Sequence, residues 1–108
     1  MNYTPDNWII LEMETPESGI FHKILGGWSG GYLDGNSWRL NSGVTTVEEH
    51  EDHFAVHGYS GSVYTCFKDS EVVRMNIAPT LNALMGTGKV KLIQMEDYFK
   101  NAERTKTE

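Results

Sequence analysis

Short runs of β-forming residues, each closed within a few positions by a turn signal, constrain this chain more than any other feature. Trp8-Ile9-Ile10-Leu11-Glu12-Met13 is rich in strand formers and too short for an ordinary helix. Thr15-Pro16-Glu17-Ser18-Gly19 ends it, since proline presets φ for a turn and glycine closes it. Ile20 to Leu25 reads as a second strand, antiparallel to the first. Ser37 to Leu40 is a third, stopped by the turn tripeptide Asn41-Ser42-Gly43. Val44 to Glu49 and His53 to Gly58 form a hairpin with His50-Glu51-Asp52 at its tip. In the second arm Phe54 and Val56 take one face, and His53, Ala55 and His57 the other. Ser62 to Lys68 continues the pattern: Val63, Thr65 and Phe67 alternate with Tyr64, Cys66 and Lys68.

One helix is expected. Pro79 suits a first turn, Leu81, Leu84 and Met85 make an apolar stripe, and Gly86 is a suitable stop. Lys89 to Met95 admits two readings. The alternation Lys89-Val90-Lys91-Leu92 favours a last strand, while Leu92, Met95, Phe99 and Ala102 would share one side of a helix. The expected fold is therefore α+β: an antiparallel sheet of about five or six strands with one packed helix, because hairpin turns between neighbouring strands favour antiparallel pairing. Residues 1–100 form a single domain in this reading, and the polar residues 101–108 a frayed tail.

Charge and cysteine count narrow the function classes. Fifteen acids against nine bases give a formal charge of −6. That argues against a DNA or RNA polymer and against an anionic membrane as partner, since both need a clustered basic face. A small anionic ligand stays compatible, because a pocket can be locally positive on an acidic protein. The one cysteine, Cys66, cannot form an internal disulfide, which disfavours a small secreted scaffold. The longest apolar run, Trp8 to Leu11, is too short for a signal core or a membrane span, and the cytoplasm is the expected location. A second copy of the chain is the expected partner, since a small β domain hides an edge by pairing.

Several constellations resemble chemistry without supplying its setting. His50, His53 and His57 would share a face on a helix at metal-ligand spacing. On a strand, His53 and His57 stand about 13 Å apart, too far for one metal ion, so no metal site is expected. Gly27-Trp28-Ser29-Gly30-Gly31 matches the G-x-S-x-G of a nucleophile elbow, but no helix follows Ser29. Glycine-rich phosphate loops need a lysine and a hydroxyl residue opening a helix, and neither is present. Cys66 reads as a packed strand residue. The chain holds no convincing acid, base and nucleophile set, so a non-enzyme without a cofactor is expected.

The stretch from Gly27 to Gly43 is the most informative. Five glycines among residues 26–36 give backbone freedom and point to bulges or a functional loop. They are interleaved with Trp28, Tyr32, Trp38 and Arg39, and with Ser37, Asn41 and Ser42. Aromatic rings offer stacking surfaces for nucleobases, and an arginine fork matches phosphate oxygens. Trp28, Tyr32, Ser37, Trp38, Arg39, Asn41 and Ser42 are thus the candidate ligand-binding residues. In the plainer alternative the tryptophans are core and Arg39 is a surface charge. Gly27-Trp28-Ser29-Gly30 is also echoed by Gly58-Tyr59-Ser60-Gly61, as if both were strand-edge turns carrying an aromatic.

The blocks Gly27-Trp28…Gly30-Gly31-Tyr32-Leu33-Asp34-Gly35…Ser37-Trp38-Arg39-Leu40-Asn41-Ser42-Gly43 and Gly58-Tyr59-Ser60-Gly61-Ser62-Val63-Tyr64…Cys66 resemble those of small phage-encoded proteins. The resemblance covers about the middle half of the chain and stops before Glu71. It implies phage origin, an accessory role, and a link to the anti-CBASS sponge proteins that sequester cyclic oligonucleotide alarm signals in the host cytoplasm. No binding residue is carried over from that group. The function expected is non-catalytic capture of a nucleotide-type ligand for immune evasion. The alternative is a protein–protein module inhibiting a host factor, with the acidic hairpin Glu48 to Asp52 as its contact surface.

Overall fold

The computed structural model describes residues 1–31 and 35–100, with only the backbone described at 30, 31, 35 and 36. It contains strands β1 (Asn2–Tyr3), β2 (Asn7–Thr15), β3 (Gly19–Gly31), β4 (Gly35–Leu40), β5 (Val44–Glu49), β6 (His53–Gly58), β7 (Val63–Phe67) and β8 (Val90–Ile93), with helix α1 (Ala78–Met85) between the last two strands. Residues 95–100 are also helical and are called α2 here. The strands form two four-stranded sheets, ordered β1-β7-β6-β5 and β4-β3-β2-β8, instead of the single sheet of five or six strands expected. The mixed α+β class holds. The expected single sheet divides because a turn signal ends a strand without fixing which sheet the next one joins, and the chain passes between layers at residues 4–6, at 41–43 and after β7.

Strand β2 explains why Trp8 to Leu11 is uninterrupted by polar residues. Trp8 and Ile10 face the other sheet and join Ile24, Phe54, Val56, Tyr64, Cys66 and Met95 in the inter-sheet core. Ile9 and Leu11 face outward and are covered by Ile77 and Leu81 at and within α1. A strand buried on both faces reads as a continuous apolar run, not an alternating one. The layers are therefore sheet, sheet and helix.

The β2–β3 hairpin pairs Asn7 through Thr15 with Gly27 through Gly19, and the turn closes at Gly19 with φ +68°, a left-handed conformation that suits glycine. The glycine-rich passage is not a free loop at its start: Gly26 to Gly31 extend β3, with a register shift between Trp28 and Gly31. Gly27-Trp28-Ser29-Gly30 and Gly58-Tyr59-Ser60-Gly61 consequently differ in structure, the first lying in a strand and the second beginning a turn. Lys89 to Met95 holds both expected forms in succession, since β8 ends at Ile93 and α2 starts at 95. Tyr32, Leu33, Asp34 and the tail 101–108 lie outside the described residues.

Glu71 fastens α2. Its carboxylate Oε2 accepts the Met95 N–H at 2.7 Å, and Asp97 Oδ2 accepts the Gln94 N–H at 3.1 Å. Burial, the strongest influence, pushes the Glu71 carboxyl above the usual glutamate range, and Asp97 and Glu96 push it the same way against the Met95 N–H bond. The folded state then binds the Glu71 proton more tightly than the unfolded chain does, so this group's contribution to stability falls as pH rises through that window. Glu71→Gln keeps an acceptor and discards the charge. It is expected to match or exceed the wild-type melting temperature at pH 7 and to lose that advantage below about pH 4, where the unfolded glutamate is itself protonated. Glu71→Leu lacks the acceptor and should lie about 1 kcal/mol below Glu71→Gln at every pH. Parallel melting curves across that pH range check both outcomes.

Candidate functional site

Strand pairing sorts the candidate residues by face. Directly paired residues of an antiparallel ladder point to the same side. Gly26 pairs with Arg39, and Trp28 with Ser37, so Trp28, Ser37 and Arg39 share the inner side of their sheet. Gly27 pairs with Trp38, which places that indole on the opposite, outer side. Trp38 is 51% exposed there.

The inner side is completed by the N-terminal segment. The Arg39 guanidinium carbon lies 4.5 Å from the centroid of the Tyr3 ring, in cation–π geometry. Tyr3 also meets Trp28 edge-on, with centroids 6.3 Å apart, and rests on the buried Tyr64 ring at 5.1 Å. Trp28 Nε1 donates to the Thr4 carbonyl at 3.1 Å, and Ser29 N donates to Asp6 Oδ2 at 2.8 Å. Trp28 is thus half-buried and held in place. Arg39 and Ser37 remain exposed, and among the described residues no carboxylate forms an ion pair with Arg39. Burial, opposed by the positive field of Arg39, pushes the Tyr64 phenol up to about 12, so it stays a neutral hydroxyl at physiological pH.

Asn41 and Ser42 belong to a different neighbourhood. Asn41 is buried, accepts the Ile24 N–H on Oδ1 at 2.9 Å, and returns its own N–H to the Ile24 carbonyl at 3.0 Å. It prolongs the β3–β4 ladder by one side chain. Its Nδ2 is a buried donor without a protein partner among the described residues. Ser42 Oγ accepts the Ser60 N–H at 2.9 Å and lies 3.2 Å from Ser60 Oγ, tying the crossing between sheets to the β6–β7 turn. Of the seven candidates, the structure brings Trp28, Ser37 and Arg39 together, sets Trp38, Asn41 and Ser42 apart from them, and leaves Tyr32 outside the described residues.

The other constellations resolve into local pairings. The His50 and His53 rings stack at 4.7 Å, His53 Nδ1 lies 2.6 Å from Asp52 Oδ1, and His57 Nε2 lies 3.1 Å from Glu48 Oε1. The His53 hydrogen bond is the main reason that the Asp52 carboxyl sits below its usual range. Among the described residues no group of three or more His, Cys, Asp or Glu side chains is arranged to hold a metal ion. Ser29 lies in β3, outside any strand-turn-helix elbow, and its Oγ accepts from Asn76 Nδ2 at 3.0 Å. Cys66 is fully buried, and that burial raises its thiol pKa.

Clefts of about 420 and 560 Å³ flank Glu71, away from Arg39. Their size does not make them better candidates, because Lys68 is already paired with Glu49 at 2.8 Å and Lys100 with Glu96 at 3.3 Å. The residues of this candidate site invisible to sequence reasoning are Tyr3 and Asp6. Nothing local distinguishes them, since each acquires its role only from a distant strand. No helix among the described residues is long and apolar enough to cross a membrane. No family model matches this chain, and neither a curated protein nor a solved structure matches it.

Proposed function

We propose that this chain is a non-catalytic capture protein for a phosphate-bearing, nucleotide-type ligand. The observation that carries the reading is the exposed Arg39 guanidinium held on the Tyr3 ring, beside Trp28 and Ser37. A guanidinium pre-oriented on an aromatic face loses less freedom on meeting an anion, and its planar fork matches phosphate oxygens. Ser37 adds a hydroxyl donor on the same side, and the edge of Trp28 adds apolar contact. The resemblance of the two glycine-aromatic blocks to small phage-encoded proteins, and the link to sponge proteins that it implies, narrow the ligand to a cyclic oligonucleotide alarm signal, removed from the host's defence by binding alone. Trp38, on the other side of the strand, takes no part in this site.

A thermal-shift screen of cyclic and linear nucleotides tests the proposal. A ligand present at a hundred times its dissociation constant stabilises the protein by about 2.7 kcal/mol, a readily measured shift. Arg39→Ala is expected to weaken binding of the positive ligand by more than about tenfold, a loss of one charge-assisted contact, with the melting temperature of the free protein nearly unchanged. A flat screen, or equal affinity in the variant, removes Arg39 from any such site.

A partner-binding module is the second reading, favoured by Trp38 and by Met75, which is 79% exposed. The acidic hairpin supports it less, because Glu48, Glu49 and Asp52 are already paired with His57, Lys68 and His53. Trp38→Ser should abolish partner pull-down in this reading while leaving nucleotide binding intact.

A further inference from the structure

The Arg39 side is completed by the first six residues, and these span both sheets. Tyr3 supplies the ring under the guanidinium, and Thr4 the carbonyl that fixes Trp28. Pro5 packs on Gly26 so closely that a Cβ there would come within 3.0 Å of it. Asp6 takes the Ser29 N–H, and its own N–H donates to the Gly27 carbonyl at 2.9 Å. Apart from the Tyr3 ring on Tyr64, the segment's hold on the neighbouring sheet is slight. Strand β1 pairs with β7 at only Asn2 and Tyr3, in parallel, at the edge of its sheet. The Met1 carbonyl adds one bond from the Val63 N–H at 3.1 Å. Two-residue pairings at a sheet edge open at lower free energy than central ladders.

We infer that residues 1–6 are a strap that opens and closes beneath Arg39, and that ligand is captured only when the strap is closed. The inference rests on the capture reading above for its second half. Opening removes the Tyr3 ring from beneath the guanidinium and frees Trp28, so the open form lacks the pre-oriented anion site. A ligand that binds only the closed form must raise its population, and reciprocally a loosened strap must weaken the ligand. The strap is thus a control point: any event that holds residues 1–6 away from the sandwich lowers affinity without itself occupying the Arg39 side.

Amide hydrogen exchange on the full chain tests this. The N–H groups of Asp6, Ser29 and Val63 each bond across the strap, while that of Ile24 is bonded within the core to Asn41. In the free protein the first three are expected to exchange together, about tenfold or more faster than Ile24. Arg39→Ala, by removing the cation–π contact with Tyr3, should speed those three a further two- to fivefold, roughly the worth of such a contact, and leave Ile24 unchanged. Saturation with cyclic di-AMP, or with ADP as the linear probe, should slow the three together. Exchange of all four at one rate, or no effect of Arg39→Ala on the strap amides, overturns the strap. A probe that binds in an Arg39-dependent manner yet leaves the three amides unprotected overturns the coupling. Binding of neither probe overturns the capture reading and the coupling with it, while the free-protein comparison still decides the strap.

Discussion

Trp8→Ala is expected to remove about 3–5 kcal/mol of folding free energy, the range for truncating a buried large aromatic. The indole is fully buried between the sheets, edge-on to Phe54 with centroids 6.0 Å apart. Its Nε1 donates to the Phe67 carbonyl at 2.8 Å, linking the two layers. Alanine removes the packing and strands that carbonyl. For a domain of this size the loss is a large share of a total stability of about 5–15 kcal/mol. Trp8→Phe keeps most of the volume and loses only the donor, so it should fall well short of the alanine variant. Urea midpoints of the three proteins separate the terms, and an unchanged midpoint in Trp8→Ala would show that the inter-sheet core does not depend on this side chain.

Gly27→Ala is the second large effect, at about 2–4 kcal/mol, from overpacking together with disruption of buried hydrogen bonds. A Cβ at Gly27 would come within 2.6 Å of Asn76 Cγ and Nδ2. Asn76 has no freedom to retreat. It exchanges bonds with the buried Asn7 at 3.0 and 2.6 Å, and its Nδ2 also donates to Ser29 Oγ. The added methyl therefore forces either the strand or this amide pair to move. The cost should shrink in an Asn76→Ala background, where the obstruction is gone. A double-mutant cycle reads that coupling directly, and strict additivity would mean that the clash is relieved elsewhere.

These two positions show what local sequence conveys. Trp8 announces itself as core, because an apolar run of that density must be buried. Gly27 looks like one flexible residue among several, and its constraint comes from Asn76, 49 positions away in the sequence, just before α1 on the outer face of the same sheet. The hairpins β2–β3 and β5–β6 and helix α1 were legible for a related reason: turn residues and periodicity act between near neighbours. The candidate site was only partly so. Ser37 and Arg39 alternate along β4 and so share a side from which Trp38 between them points away, but only the β3–β4 pairing register puts Trp28 on that side.

The sequence by itself determined an acidic, mostly β domain with one helix near Pro79, through hydrophobic period, turn chemistry and charge. Only the tertiary structure decided that the strands divide into two sheets, that Asn41 is a buried ladder residue, and that Tyr3 lies beneath Arg39. Those facts depend on which distant segments meet once the apolar faces are buried. Burial is non-directional and leaves no short-range mark in the chain.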